Sequence, residues 1–163
     1  MTLSYTILPS PVGALKIVAN DAAIVAILWE NDRADRVRLG AMREARDHPL
    51  LVEASRQLTD YFAGRRTRFD LPLAPQGTAF QQSVWAALLT IPFGETRSYA
   101  DIARALGRPT ATRAVGAANG RNPISIVTPC HRVIGTNGSL TGFAGGLTGK
   151  RYLLDLEQST VSR

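Results

Sequence analysis

The only cysteine of the chain, Cys130, lies in the run Pro129-Cys130-His131-Arg132-Val133, where a thiol stands directly beside a base. Cysteine acts as a nucleophile in its thiolate form, and a nearby imidazole that takes the proton is a common way to form it. Because adjacent side chains seldom point the same way, we expect a water to link His131 to the sulfur. Pro129 fixes the backbone just before the cysteine, which suits a rigidly aimed sulfur. The run therefore predicts a catalytic nucleophile.

A histidine base of this kind needs a carboxylate on its second ring nitrogen. The nearby acids are Asp155 and Glu157, on a helix predicted from the pattern at 147–156. Lowering a thiol pKa from its free value of about 8.5 needs positive or hydrogen-bonding neighbours, and His131 and Arg132 are the candidates. A lone cysteine is often only a small buried side chain, but the neighbouring His, Pro and Gly residues favour the nucleophile. Spacing alone indicates an activated thiol and no particular reaction.

One cysteine also limits what the chain can build, since it allows no intrachain disulfide and no zinc site of the multi-cysteine kind. The apolar run Ile124 to Val127 leads to this cysteine and predicts a buried strand. We therefore expect the thiol at a buried strand end that opens into the glycine-rich loops after Gly135.

Three predicted helices precede the cysteine run. Apolar residues at helical spacing predict a helix from about Ala79 to Ile91, and two shorter helices fit Tyr99 to Leu106 and Ala111 to Asn119. Ser98 and Thr110 stand where the N-caps of the two shorter helices would lie. The tight turn between these two helices makes them a helix-turn-helix candidate.

The last of these helices is unusually slim, because Arg113 is its one prominent side chain among Ala and Gly residues. Such a helix fits the minor groove of B-form DNA, which is only about 6 Å wide. Small residues also let a helix pack closely on a neighbour, and both interpretations can hold for different faces.

The first half of the chain has a different pattern. Short β-branched or aliphatic runs predict three antiparallel strands, at residues 5–8, 14–19 and 24–29. The charged stretch 30–47 predicts a loop or an exposed helix, and helical spacing over 50–62 predicts a helix that Gly64 ends. We find no catalytic constellation in this half.

A linker is predicted at 71–77, which gives an N-terminal lobe at 1–75 and a C-terminal domain at 76–163. The net charge of +6 is divided unevenly between them: the lobe has 10 basic and 9 acidic residues, whereas the domain has 9 and 4. Most of the cations are arginines, which suit bidentate phosphate contacts. Nucleic-acid binding and a basic surface for solubility both fit this balance.

No apolar run approaches the roughly 20 residues that cross a bilayer, and the N-terminus lacks the pattern of a secretion signal. We expect a cytoplasmic protein that does not contact membranes.

The stretch from Asn122 through Ile126 to Cys130 and Ile134 closely resembles the active-site signature of the O6-alkylguanine-DNA alkyltransferases, or methylated-DNA–protein-cysteine methyltransferases. Further blocks resemble the family in the same order, at 91–99, 113–116, 138–146 and 153–157. The resemblance covers about residues 78–157, and the N-terminal lobe matches only in its strand pattern. It implies an α+β fold, with a ribonuclease H-like lobe of three antiparallel strands and a helix, then a mainly helical, winged helix-turn-helix-like domain.

The same resemblance implies roles for individual residues. The slim helix would enter the minor groove, and Arg113 would take the place of the extruded nucleotide. Glu157, His131 and a water would deprotonate Cys130. The residues implied to contact DNA are Ser98, Tyr99, Thr110, Arg113 and Ala114.

A pocket for the flipped base is also implied. Tyr99 would donate a hydrogen bond to the base, carbonyls near Cys130 and Val133 would accept from the guanine amino group, and Asn122 would be the hinge between the DNA-binding helix and the active site. Phe143 stands where many members have Tyr, and Ala144 offers only its backbone amide. The residues implied to form the pocket are Tyr99, Asn122, Cys130, Val133, Phe143 and Ala144.

The implied reaction is direct transfer of the alkyl group to Cys130, without cofactor or metal. Because a thioether is not readily hydrolysed, each molecule would act once. The implied partner is double-stranded DNA carrying O6-alkylguanine, bound by a monomer, while cooperative binding, alkyl size and activity on O4-alkylthymine stay open. Two alternatives are a cysteine hydrolase built on Cys130, His131 and Glu157, and a non-catalytic DNA-damage sensor, against which the retained cysteine argues.

Overall fold

The N-terminal part is a sheet built from short aliphatic strands, as the computed structural model of residues 2–140 and 143–162 shows. Its strands are β1 (Leu3–Leu8), β2 (Leu15–Ala19), β3 (Ile24–Leu28) and β4 (Met42–Glu44), in the order β3-β2-β1-β4. The first three are antiparallel as predicted, whereas β4 pairs parallel to β1. The prediction of three strands, with loop or helix at 30–47, is therefore wrong at β4. This strand has only three residues and forms because β1 offers it a partner.

Helix α1 (Pro49–Phe62) covers one face of the sheet. The His48 side chain caps its start by accepting a hydrogen bond from the Leu50 amide at 3.2 Å. Its buried face carries Leu51, Leu58 and Tyr61, which face the strands and the C-terminal half of the chain. Gly64, with a φ of 74°, reverses the chain just after the helix, as predicted.

The two predicted parts share one apolar core at their junction. Ile124, Val127 and Leu153 from the C-terminal half are buried in the cluster formed by the sheet and α1. Ile124 also pairs with Ile27 of β3 in a single parallel bridge, with a hydrogen bond from the Ile27 amide to the Pro123 carbonyl at 2.9 Å. The boundary at 75/76 stays a prediction, but the segment that leads to the cysteine is fixed against the N-terminal sheet.

The described residues of the C-terminal part form the helices α2 (Ala79–Leu88), α3 (Tyr99–Ala105), α4 (Thr112–Gly120) and α5 (Gly146–Val161). Ser98 caps α3 by accepting from the Asp101 amide at 3.0 Å, as predicted. Thr110 is not the N-cap of α4, because the turn continues through it to Ala111, whose amide bonds the Arg108 carbonyl. None of the helices in the described part of the chain is long and apolar enough to cross a membrane.

The approach to the cysteine is a turn and not the predicted strand. Apart from the bridge at Ile124, the run 124–127 folds tightly, and Ile126 has a φ of 73°. A turn of 3-10 helix, Cys130–Arg132, follows directly. It leads into β6 (Val133–Ile134), which pairs parallel with β5 (Arg97–Ser98). The apolar character of the run reflects its burial in the junction and not strand pairing.

Candidate active site

Cys130 lies at the start of the 3-10 turn and is 5% exposed. It packs in the cluster of buried residues formed mainly by α2, α3 and α4. Its backbone carbonyl accepts a hydrogen bond from the Asn119 side chain of α4 at 3.4 Å. The cysteine is thus held next to the helix that the sequence predicts to contact DNA.

His131 is fully buried, and its Nε2 atom lies 2.7 Å from the Glu157 carboxylate on α5. The structure therefore places Glu157, and not Asp155, against the histidine. Asp155 is exposed on α5. Glu157 is near the end of a helix that extends to Val161, beyond the predicted end at residue 156.

Glu157 is at the centre of a buried group that we call the Glu157 cluster: Glu157, His131, Arg132 and Tyr61. Its Oε2 accepts from the Tyr61 hydroxyl at 2.6 Å and from Arg132 Nη2 at 3.1 Å, besides contacting His131. Its Oε1 accepts from Arg132 Nε at 2.8 Å and from the Gly94 amide at 3.4 Å. Both oxygens of the carboxylate therefore face hydrogen-bond donors on all sides. A buried carboxylate needs such donors to stay ionised.

These contacts fix the protonation states in the cluster. Burial alone would raise the pKa of Glu157, but hydrogen bonds and charge from His131 and Arg132 hold it at about 2. Burial lowers the pKa of His131 below 6.5, although the hydrogen bond with Glu157 and the charge of Glu157 act to raise it. A neutral His131 donates from Nε2 to the carboxylate, so Nδ1 carries the free lone pair. Nδ1 is buried and makes no hydrogen bond to the described residues, which leaves it available as a base.

The thiol itself is not activated at rest. Burial raises the pKa of Cys130, while a hydrogen bond with Asn122 and the charges of Arg36 and Lys150 oppose that rise. Arg132, predicted to lower this pKa, instead pairs with Glu157 and donates to the Ile91 carbonyl at 2.7 Å. Proton transfer to a base is therefore needed to form the thiolate at neutral pH.

Asn122 ties together the loop between α4 and the cysteine. Its side chain donates to the Thr128 carbonyl at 2.9 Å and accepts from the Ile124 amide at 3.1 Å. From the N-terminal part, Arg36 donates to the Asn122 carbonyl at 2.8 Å while forming a largely buried ion pair with Asp32. The predicted hinge is thus held from both parts of the chain.

Of the predicted base-pocket residues, Val133 belongs to the same buried cluster as Cys130, and Tyr99 and Phe143 pack against that cluster. The Val133 carbonyl accepts from the fully buried Lys150 ammonium at 2.5 Å. Phe143 packs edge-on against Trp29 with ring centres 5.3 Å apart. Ala144 is exposed, and it lines with Phe143, Gly116, Ala117 and residues of the 31–36 loop an open cavity of about 420 Å³.

The predicted DNA-contacting residues lie on α3, on α4 and in the turn between them. Arg113 and Ala114 are exposed on α4, as is Ala117 one turn later, whereas Val115 and Ala118 face the core. The side of α4 that carries Gly116 faces α3, where a Cβ at Gly116 would make an ordinary van der Waals contact, 3.8 Å from the Tyr99 ring. Ser98 is half-buried at its cap and Thr110 is exposed. The small residues therefore pack against neighbouring helices on one face of α4, while minor-groove contact by its exposed face stays a prediction.

Comparison with known proteins points in the same direction. The family model described as 6-O-methylguanine DNA methyltransferase, DNA binding domain, matches residues 79–159, and its ribonuclease-like domain matches residues 3–75. A constitutive methylated-DNA–protein-cysteine methyltransferase of Bacillus subtilis is 49% identical over 156 residues, covering 94% of each chain. The chain belongs to the methylated-DNA–protein-cysteine methyltransferase family.

Solved structures agree with this assignment. The crystal structure of Mycobacterium tuberculosis OGT in complex with DNA has a TM-score of 0.87 and 44% identity, over 98% of this chain and 94% of that one. A further crystal structure, of the M. tuberculosis O6-methylguanine methyltransferase, has a TM-score of 0.86 and 46% identity, over 97% and 94%. The activity of the chain is that of its family, methyl transfer from methylated DNA to a protein cysteine. The complex with DNA was obtained with the M. tuberculosis protein.

Three residues that contact this candidate site were missed by reasoning from the sequence. Tyr61 and Arg36 come from the half in which we found no catalytic constellation, and they reach partners 96 and 86 residues away. Lys150 is 17 residues from its partner Val133. Of the three, only Lys150 could have been found from the sequence. It is one of two lysines in the chain, and it follows a glycine at the start of a predicted helix.

Proposed function

We propose that the chain removes the alkyl group from O6-alkylguanine in duplex DNA by transferring it to Cys130, once per molecule. The observation that carries this is the buried hydrogen bond between an ionised Glu157 and His131, the residue that follows Cys130, in a chain that also presents a slim, partly exposed helix. His131 supplies a base for a thiol that burial keeps protonated. The helix supplies a surface narrow enough for the minor groove.

The first step is formation of the thiolate. His131 takes the Cys130 proton on Nδ1, directly or through one bridging water. The resulting imidazolium is stabilised by Glu157, because Nε2 already lies 2.7 Å from that carboxylate. Arg36 and Lys150 favour the negative sulfur.

The second step is displacement at the alkyl carbon. A bond forms between Cys130 sulfur and that carbon, the bond from carbon to guanine O6 breaks, and its electron pair stays on the base. Tyr99 donates a hydrogen bond or a proton to guanine as negative charge develops on O6. The product in the DNA is unmodified guanine. The in-line geometry requires a base turned out of the helix into the pocket near Val133, Phe143 and Ala144.

DNA binding places α4 in the minor groove, with Arg113 in the space of the turned-out nucleotide. Ser98, Thr110 and Ala114 contact the strand beside it, and Asn122 connects this movement to the cysteine loop. We propose a monomer that needs no cofactor and no metal. O4-alkylthymine is a second substrate to test with the same assay.

The test is stoichiometry with excess substrate. Duplex DNA carrying one O6-methylguanine is mixed with limiting protein, and the lesion remaining is counted over time. We expect removal to stop at one lesion per chain, and none with Cys130→Ser. Continued turnover would favour the cysteine hydrolase, and binding without removal would favour the non-catalytic sensor.

A further inference from the structure

Tyr61 of α1 contacts the Glu157 cluster from the N-terminal part of the chain, and the mechanism above does not use it. Its hydroxyl lies 2.6 Å from Glu157 Oε2, and both side chains are about 1% exposed. The ring is held by three aromatic neighbours, Phe62, Phe69 and Phe93, with ring centres 5.3, 5.4 and 6.2 Å away. Aromatic packing therefore positions the hydroxyl, which donates to Glu157 in the C-terminal part of the chain.

Oε2 is also the atom that His131 uses. It accepts from the Tyr61 hydroxyl, from His131 Nε2 at 2.7 Å and from Arg132 Nη2 at 3.1 Å. Donors to the same oxygen share its negative charge, so each one weakens its attraction for the others. Because burial and the Glu157 charge raise the pKa of Tyr61 well above 10, the hydroxyl stays protonated and can only act here as a donor.

We infer that Tyr61 is a positioning residue of the alkyl-transfer reaction: its hydroxyl orients Glu157 and limits how strongly that carboxylate draws a proton onto His131. The N-terminal part thereby sets the strength of the base that acts on Cys130. This inference rests on the proposed function and extends it to a residue that touches neither DNA nor sulfur.

The substitution Tyr61→Phe removes the hydroxyl and keeps the ring among its aromatic neighbours. Glu157, Arg132 and Lys150, the charged groups around His131, all remain. The carboxylate then attracts the His131 proton more strongly, so His131 becomes protonated at higher pH and is lost as a base sooner on acidification. We expect the single-turnover rate at acidic pH to fall about two- to tenfold, the effect of one hydrogen bond, and the difference to narrow at alkaline pH.

Two readouts separate this effect from a structural one. NMR of the imidazole groups is simple, because the chain has only two histidines. In Tyr61→Phe, the titration midpoint of His131 rises, while that of His48 at the start of α1 serves as the internal reference. Tyr5→Phe is the matched control, since it removes a hydroxyl on β1, where Lys16 lies over the ring. We expect it to match the wild type in both assays.

A rate that falls by the same factor at every pH, or a His131 midpoint that does not move, would overturn the inference. If Tyr61→Phe fails to fold, 3-fluorotyrosine placed at position 61 tests the same point. Its hydroxyl donates more strongly, so the His131 midpoint must then fall. Wild-type protein that leaves Cys130 unmodified by methylated DNA would refute the proposed function, and the NMR titration would still test the contact between Tyr61 and Glu157.

Discussion

Replacing Glu157 by glutamine removes one negative charge from the Glu157 cluster and hardly changes its shape. Arg132 would then keep its positive charge with a side chain only 8% exposed and no anion within reach among its described contacts. Removing one partner of a buried ion pair typically destabilises a protein by about 3–5 kcal/mol, because the other charge stays buried and uncompensated. The native pKa gives an independent value for comparison.

The pKa of Glu157 is about 2 in the folded chain and 4.5 ordinarily. At about 1.4 kcal/mol for each tenfold change in proton affinity, this difference corresponds to about 3 kcal/mol of stability. Because the folded pKa is the lower one, the contribution is fully present above 4.5 and is lost as the pH falls towards 2. For 163 residues we expect Glu157→Gln to lower Tm by roughly 6–12 °C at pH 7.

The assay is urea denaturation of wild type and variant at pH 7 and pH 3. We expect a difference in unfolding free energy of about 3 kcal/mol at pH 7 that shrinks to roughly 1 kcal/mol at pH 3. Glu95→Gln is the control, because Glu95 is 54% exposed in a surface pair with Arg97 and should cost less than about 0.5 kcal/mol. A loss under 1 kcal/mol for Glu157→Gln, or the same loss at both pH values, would show that the charge of Glu157 does not stabilise the folded chain in this way.

Two further predictions concern the reaction. Arg113→Ala should slow repair of duplex DNA much more than reaction with free O6-benzylguanine, because Arg113 is exposed on α4 and would act only when a base must leave the helix. Lys150→Met should move the pH at which Cys130 reacts with iodoacetamide to higher values, since it removes a buried positive charge that favours the thiolate. A stopped-flow or quenched time course measures each rate.

Each of these predictions has a matched control. Arg108→Ala removes an exposed arginine from the turn before α4 and should slow duplex repair less than Arg113→Ala. Arg151→Met removes an exposed charge next to Lys150 and should leave the Cys130 profile in place. Equal losses on duplex and free base, or equal shifts for Lys150 and Arg151, would count against the assigned roles.

Sequence patterns were enough to predict the elements whose formation depends on residues close together in the chain. The helical spacing and the Ser98 cap located α3, and Gly64 marked the end of α1, because caps and left-handed glycines depend on neighbours within a few residues. The pattern failed for β4, whose three residues become a strand only through β1. It failed again at 124–127, where an apolar run is buried in a junction between distant segments.

The candidate site divides in the same way. The sequence run around Cys130 indicated the nucleophile and the base, because they are adjacent. Spacing left Asp155 and Glu157 as the two possible carboxylate partners of His131, since the choice between them depends on how α5 packs. Only the resemblance to the family singled out Glu157. Tyr61 and Arg36 could not be predicted, because only the folded chain brings them to partners 96 and 86 residues away.

Methyl transfer to Cys130 can be measured by intact-mass spectrometry after mixing the protein with an excess of duplex DNA that carries O6-methylguanine. We expect every active chain to gain the mass of one CH2 group, and peptide mapping to place it on Cys130 as S-methylcysteine. Cys130→Ser should gain nothing. A lesion that disappears while the protein mass stays unchanged, or a methyl group found on another residue, would contradict transfer to Cys130.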